Sequence, residues 1–283
     1  MGNEGASAGH TAGILKENTE ERIPLAVQMK ETAINVQIWK SYHDIVDISL
    51  ISPAGVQIGP IPEVIGTQRF VVGDTEILLY YGEPSPFHVS QEIFIEFLPK
   101  NSYITPGIWQ FVLTPRKIVT GEYDLWLPSE NVLNRGTAFR YPTERGTLTI
   151  PSTSQRVISV GAYDSLTFAY ADFSSLQTRK EGRGGLEGES KPDLVAPGVD
   201  ITAPTPSGIY QTFTGTSFAT PFVSGAAALM MEWGIVRGND PYLYGEKVKA
   251  YLRRGARPLP GFTEYPNPQV GYGALCLRDS LPE

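Results

Sequence analysis

Hydrophobic and polar residues alternate along the first half of the chain, from about residue 23 to residue 148. The stretches AINVQIW (33–39) and IVDISLISPAG (45–55) both show a period of two, and the second ends in a Pro-Ala-Gly turn. The same texture continues in FVVGDTEILLYYG, EIFIEFLP, GIWQFVLTP and EYDLWLP. This spacing is typical of an antiparallel β-sandwich, and it predicts no helix longer than two turns in this region.

The pattern changes after residue 150. RVISVGAYD (156–164) reads as a strand that is buried on both faces, and Leu194–Ala196 reads as a second short strand. Residues 216–234 are apolar nearly all round, which predicts a buried helix. A second helix is expected to begin at Asp240-Pro241 and to end at Gly255. Strands mixed with helices indicate an α/β region.

Composition and charge limit the function classes. The chain has 283 residues, which suggests about two domains. The net charge is −7 and no basic stripe is present, so nucleic acid is not an expected partner. The single cysteine, Cys276, excludes an internal disulfide. No apolar run approaches the roughly 18 residues of a membrane span, and the first residues do not read as a signal peptide.

Ser217 is the candidate for chemistry, because it lies where a loop becomes a helix. A serine there can point its own N–H at a developing oxyanion, since backbone N–H groups are unpaired at a helix N-terminus. The structural alternative is that Thr216 or Ser217 only caps the helix. The tripeptide Gly-Thr-Ser does not decide between these two interpretations.

The longer string GTSFATPFVSGAAAL resembles the motif around the nucleophile of subtilases, the subtilisin-like serine peptidases. The matching positions are Gly215, Thr216, Ser217, Ala219, Pro221, Val223 and Gly225. In the same chain order, GNEG (2–5), VISVGAYD, ADFSS (171–175), KPDLVAPGVDI and GYGAL (271–275) are similar to other segments of that family. The resemblance covers about 140 residues. It implies a serine endopeptidase that acts on protein or peptide substrates, with Ser217 as nucleophile and Asn3 in the oxyanion hole.

The resemblance also shows what this stretch of sequence lacks. In subtilases the chain order is Asp, His, Ser, and the oxyanion asparagine follows the histidine. Only two residues precede Asn3, so the catalytic Asp and His are expected upstream of this chain, which would be the C-terminal portion of a subtilase. His10 comes after Asn3, and His43 and His88 lie in the β region. The N-terminal half of the peptidase domain, in cis or as a separate chain, is therefore an expected partner. No cofactor is expected, and metal sites stay open.

The β region reads as an insertion into the peptidase domain. Asn3 and Val157 are 154 positions apart, far more than the family requires. The expected fold is α/β, the C-terminal part of a subtilisin-like parallel-sheet fold, with an inserted antiparallel β-sandwich or jelly roll. The expected domains are 1–7 with 149–283, and 8–148 for the insertion. An insertion at this place is similar to the germination-type subtilases of clostridia, which implies a bacterial protein that is secreted or spore-associated.

One rival hypothesis belongs to a different class. The chain could be a pseudopeptidase or interaction protein whose jelly roll binds a protein or carbohydrate partner. The aromatics that could stack on sugars, if exposed, are Trp39, Tyr80, Tyr81, Trp109 and Trp126.

Overall fold

The computed structural model describes residues 1–64, 66–86, 88–177 and 190–281. These residues form two compact units. The β unit runs from Ser7 to Thr143, and the α/β unit comprises Met1–Ala6 and the described residues from Glu144 onward. The expected domain limits at 7/8 and 148/149 remain a prediction.

The described part of the β unit is an antiparallel sandwich of two sheets. One sheet has the strand order β1-β10-β3-β8-β7-β6 and the other β11-β2-β9-β4-β5. The strands are β1 His10–Ile14, β2 Glu21–Val27, β3 Ile34–Ser41, β4 Ile45–Ile51, β5 Gln57–Ile61, β6 Gln68–Val72, β7 Thr75–Tyr81, β8 Ser90–Pro99, β9 Gly107–Lys117, β10 Glu122–Trp126 and β11 Ala138–Phe139. The helical content between His10 and Phe139, within the described residues, is a 3-10 turn at Glu130–Val132. The predicted fold class is confirmed.

The alternating sequence pattern builds the core of this unit directly. In β3, Ile34, Val36 and Ile38 are buried, whereas the residues between them are half-buried on the other face. Trp109 of β9 is fully buried, and its indole N–H donates to the carbonyl of Thr105 at 2.9 Å. The sandwich is therefore held by the inward positions of both sheets.

The α/β unit contains a short parallel pair of strands covered by a helix. Strand β12 (Val160–Tyr163) pairs in parallel with β13 (Leu194–Pro197). Strands β14 (Ile201–Pro204) and β15 (Tyr210–Phe213) form an antiparallel hairpin. The helices are α1 Thr216–Met231, α2 Glu246–Arg254 and α3 Leu277–Ser280, and α1 continues into a π-helical turn at Glu232–Val236. Helix α1 packs on β12 and β13 through Ala219, Val223 and Ala226.

The expected strand 156–164 and the expected second helix were both too long. Strand β12 covers only Val160–Tyr163. Just before it, the N–H of Ser159 donates to the buried Asp193 carboxylate and the carbonyl of Val157 accepts from Lys191 Nζ, although the carbonyl of Ser159 still accepts the backbone N–H of Asp193. Helix α2 begins at Glu246 and not at Asp240. Residues before it form turns, and Gly245 has a φ of +56°, which a right-handed helix cannot include.

The apolar composition of helix α1 predicted that it is buried on all sides, but the structure shows that it is not. One face is buried through Thr216, Ala219, Val223, Ala226 and Met230, whereas Phe222 and Leu229 are exposed. Within the described ranges, the helical segment Thr216–Val236 is long and apolar enough to cross a membrane by length and composition alone. A core helix meets the same criterion, so this is weak evidence for a span.

Asp44 organises one end of the β unit. Its carboxylate is almost fully buried and accepts four hydrogen bonds from the segment Val119–Gly121, at 2.6 to 3.0 Å. Burial alone would raise the pKa of this carboxyl, but these hydrogen bonds outweigh it and hold the pKa below its usual value. Asp44 therefore fixes the turn between β9 and β10 to the turn between β3 and β4.

We predict that Asp44→Asn lowers the free energy of unfolding of the β unit by about 2–4 kcal/mol, because an amide NH₂ would face backbone N–H donors. The lowered pKa means that the carboxylate's contribution is complete above the unfolded-state pKa and is lost as the pH falls through the folded-state pKa. Urea unfolding at several pH values measures both effects. Asp74→Asn, at an exposed turn, is the matched control and should change little. An Asp44→Asn protein as stable as the parent at neutral pH would contradict the prediction.

Candidate active site

Ser217 lies at the start of α1, beside the carboxyl ends of the two parallel strands. The N–H of Gly198, directly after β13, donates to the carbonyl of Tyr163, the last residue of β12. The N–H of Gly215 in turn donates to the carbonyl of Gly198 at 2.8 Å. The helix N-terminus is thus fixed to the edge of a parallel sheet where ligands bind in many α/β proteins. The side chain of Ser217 is exposed at that edge.

Asn3 is bound to the same helix N-terminus. Its side-chain Oδ1 accepts hydrogen bonds from the backbone N–H of Thr216 at 2.9 Å and from Thr216 Oγ1 at 3.0 Å. These two donors fix the orientation of the carboxamide, so its Nδ2 is the end left to donate. Nδ2 lies beside Gly215, 3.1 Å from the position that a Cβ atom would take there.

The segment that carries Asn3 is anchored against the turn at residues 172–175. Gly5 N–H donates to the carbonyl of Phe173 at 2.9 Å, and Glu4 N–H donates to Ser175 Oγ at 3.0 Å. Ser175 N–H returns a bond to the carbonyl of Gly2 at 3.1 Å. Two motifs that are far apart in sequence, GNEG and ADFSS, therefore hold each other in place.

Two glycines are required by this close approach. A Cβ at Gly5 would lie 2.4 Å from the carbonyl oxygen of Asp172, and a Cβ at Gly198 would lie 2.6 Å from the Cβ of Ala162. Both contacts are far too short for any side chain. The backbone at Gly5, in the segment that carries Asn3, and at Gly198, directly after β13, can lie this close to its neighbours only because glycine has no side chain.

Hydrogen-bond donors are gathered at the N-terminus of α1, where Ser217 is the second helical residue. The N–H of Ser217 belongs to the first turn of α1, where N–H groups have no partner within the helix. The positive end of the helix dipole lies at the same point. With the free Nδ2 of Asn3, these groups can stabilise negative charge that develops on an oxygen near Ser217.

All three histidines of the sequence lie in the β unit. His10 is 3% exposed, its Nε2 lies 3.0 Å from Asp124 Oδ1, and its ring stacks on Trp126 at 4.6 Å between centroids. His43 and His88 bond to Ser41 and to the carbonyl of Ser90. The α/β unit that holds Ser217 and Asn3 therefore contains no imidazole of its own.

A buried charge cluster around Asp193 connects segments of the α/β unit, and it was not predicted from the sequence. Asp193 is fully buried, and its carboxylate contacts three cationic groups: Lys191 at 3.3 Å, Lys249 at 3.2 Å and the guanidinium of Arg253. It also accepts the N–H of Ser159 at 2.6 Å. Burial alone would raise the pKa of Asp193, but the N–H of Ser159 and the cations hold it below its usual value. The only sequence signal was the Lys-Pro-Asp tripeptide.

The lysines of this cluster also bind backbone. Lys191 Nζ donates to the carbonyls of Ser154 and Val157, and Lys249 Nζ donates to those of Gln155 and Val157. The irregular segment before β12 is therefore fixed by Lys191, which precedes β13, and by Lys249 of α2. Among the described residues, no group of three His, Cys, Asp or Glu side chains could hold a metal ion.

Comparison with known proteins agrees with the resemblance of the α/β unit to subtilases. Residues 141–273 match the model of the subtilase family, peptidase S8. The chain is 31% identical over 150 residues to serine protease AprX of Bacillus subtilis, covering 48% of this chain and 32% of that protein. It is 36% identical over 112 residues to an intracellular serine protease of Paenibacillus polymyxa, covering 38% of this chain and 30% of that protein.

A solved structure is similar over nearly the whole chain. The CspB protease of Clostridium perfringens matches 99% of this chain at 39% identity, with a TM-score of 0.89. The match covers 57% of the CspB chain. The matches therefore span 30% to 57% of the length of these relatives.

We predict that Asp193→Asn destabilises the α/β unit by about 3–5 kcal/mol, because three cations would remain around a neutral amide. Thermal unfolding followed by circular dichroism measures the loss. Asp240→Asn is the matched control, since Asp240 is partly exposed and pairs with one lysine, Lys247. A melting curve of Asp193→Asn that overlays the parent would refute the role of the cluster.

Proposed function

We propose that this chain, in which residues 141–273 form a subtilase-family segment, is part of a serine endopeptidase that cleaves protein or peptide substrates by acyl transfer. Ser217 Oγ attacks the scissile carbonyl carbon, and its proton passes to a histidine. The tetrahedral intermediate expels the amine, which takes that proton. Water then hydrolyses the acyl-enzyme ester and frees Ser217.

The observation that carries this proposal is the double hydrogen bond from Thr216 to Asn3 Oδ1. A carboxamide that served only as a helix cap would need just one of these bonds. Two donors on the oxygen leave the NH₂ group as the donating end, and Nδ2 lies beside Gly215, two positions before Ser217. An oxyanion hole requires donors that are oriented before the reaction, and this pair of bonds supplies the orientation.

The catalytic histidine and aspartate are proposed to come from the N-terminal half of the peptidase domain, either in cis or as a separate chain. The α/β unit contains no histidine, and this chain covers 57% of the CspB chain. The exposed face of α1 supports a packing partner, because Phe222 is 44% exposed and Leu229 is 53% exposed on a helix next to the nucleophile. A covering element there would bury apolar surface.

We predict that this chain alone reacts with a fluorophosphonate probe no faster than its Ser217→Ala variant. Without a general base, only the residual effect of the oxyanion hole and of binding remains, roughly 10³–10⁴ over water. When the N-terminal half of a subtilase catalytic domain is fused upstream of Met1 or co-expressed, labelling should appear at Ser217. Mass spectrometry of the labelled peptide identifies the residue.

Ser224→Ala, an exposed serine on the same helix, is the control and should label like the parent. Fast, stoichiometric labelling of Ser217 in the isolated chain would contradict the prediction that this chain lacks a general base for Ser217. An assembled protein that contains the aspartate and histidine but does not label would favour a pseudopeptidase.

In the assembled enzyme, we predict that Asn3→Ala lowers kcat by about 10²–10³-fold with a small change in KM, as expected for a donor used in the transition state. Thr216→Val keeps the backbone N–H but removes the hydroxyl bond to Asn3, so a smaller loss of about tenfold is expected. Hydrolysis of a fluorogenic peptide measures both constants. Asn101→Ala, an exposed asparagine in the β unit, should have no effect. An equal loss for Asn3→Ala and Asn101→Ala would exclude the oxyanion role.

A further inference from the structure

The aromatic residues of the β unit fall into two groups. Trp109 and Tyr81 belong to the core, with 0% and 8% of their surface exposed. Trp39, Phe94 and Tyr80 occupy outward positions of β3, β8 and β7, between inward residues that form the core. Tyr80 is 37% exposed, and Trp39 and Phe94 are half-buried. Outward positions of a solvated antiparallel sheet are normally polar, so these three require an explanation.

The strand register brings the three rings onto one surface, which we call the aromatic face. Phe94 is directly opposite Tyr80 on one side and Gln37 on the other, and Trp39 is opposite Glu92. Because Gln37 and Trp39 are two positions apart on β3, Trp39 is the diagonal neighbour of Phe94. The rings therefore cover three adjacent strands, a width of about 10 Å, the length of a short oligosaccharide.

Stabilisation of the sheet accounts for only part of this arrangement. Tyr80 and Phe94 form a cross-strand aromatic pair with ring centroids 6.2 Å apart. The residues directly opposite Trp39 are Glu92 and Asp124, so Phe94 is only its diagonal neighbour. Its ring contact is an edge-to-face approach of His88 at 5.7 Å. Direct cross-strand aromatic pairing therefore accounts for Tyr80 and Phe94 but not for Trp39.

The polar groups of the aromatic face are also available. Gln37, Glu92 and Glu96 lie on the same outward side of β3 and β8, and none has a side-chain hydrogen bond among the described residues. Trp126 lies at the edge of this surface, but buried His10 stacks on its ring. The accessible part is therefore centred on Trp39, Phe94 and Tyr80.

We propose that the aromatic face binds a neutral glycan chain. Flat rings can stack on the C–H faces of pyranose rings, while the amide and carboxylate groups between them bind hydroxyl groups. The combination of aromatic planes with unpaired planar polar groups suits this ligand, and jelly rolls serve as lectin domains in other proteins. Two carboxylates without a cation partner on the face disfavour a polyanionic glycan.

The test is a titration of the full chain with soluble cellohexaose and chitohexaose, followed by tryptophan fluorescence. Trp39 and Trp126 are two of four tryptophans, so a ligand on the face should change the emission. Trp39→Ala and Tyr80→Ala should each weaken binding roughly tenfold, whereas Tyr103→Ala, an exposed tyrosine elsewhere in the β unit, should not. Trp39→Phe should restore part of the affinity.

Several results would overturn the proposal: no binding of either oligosaccharide at millimolar concentration, equal binding by the parent and both alanine variants, or stronger binding of heparin than of the neutral sugars. A protein partner captured through this face, without glycan affinity, would also overturn it. If Trp39→Ala fails to fold, Tyr80→Ala and the isosteric Glu92→Gln decide the question, because both residues lie outside the core.

Discussion

The buried carboxylate of Asp193 is the interaction on which the α/β unit depends. It lies directly before β13 and binds the segment before β12 through Ser159 and helix α2 through Lys249 and Arg253. Its backbone carbonyl accepts the N–H of Tyr272, and a Cβ at Gly271 would lie 2.4 Å from that oxygen. Three distant segments therefore meet at one residue. An anion with three cations costs desolvation, which is offset only if each group keeps its partners, so this network specifies one packing.

The consequence for the site is indirect but specific. Asp193 fixes the start of β13. Gly198 follows the carboxyl end of this strand and binds Tyr163 of β12, and its carbonyl accepts the N–H of Gly215 at the beginning of α1. Asn3 reaches the same helix from the other end of the chain and binds Thr216. The position of Ser217 is thus determined by a buried ion network on one side and by a single carboxamide on the other. Rigid support of this kind is what a preorganised oxyanion site requires.

The parts of the structure in which local pattern and tertiary packing agree could be predicted from the sequence. The alternation in β3 and β8 decides which residues face the core, and the motif around Ser217 locates the start of α1. The start of α2 could not be predicted: Asp240-Pro241 is a good capping pair, but Gly245 has a positive φ, so the helix starts later, at Glu246. The Asp193 cluster could not be predicted, because nothing in the sequence places Lys249 and Arg253 of α2 next to Asp193, about 60 positions earlier. Only the fold brings those charges to one carboxylate.

The two ends of the β unit lie close together, which is compatible with its insertion between the Asn3 segment and the rest of the α/β unit. Phe139 N–H donates to the carbonyl of Ala8, and Thr143 N–H donates to the carbonyl of His10. The first and last segments of the unit are thus hydrogen-bonded neighbours, and a domain whose ends are close can be inserted into a loop with little strain. In the α/β unit, Thr149 binds the carbonyl of Met1 through both its N–H and its hydroxyl. Because both sides of the insertion are closed by their own hydrogen bonds, the Asn3 segment keeps its place beside Thr216 although 213 positions of sequence separate the two.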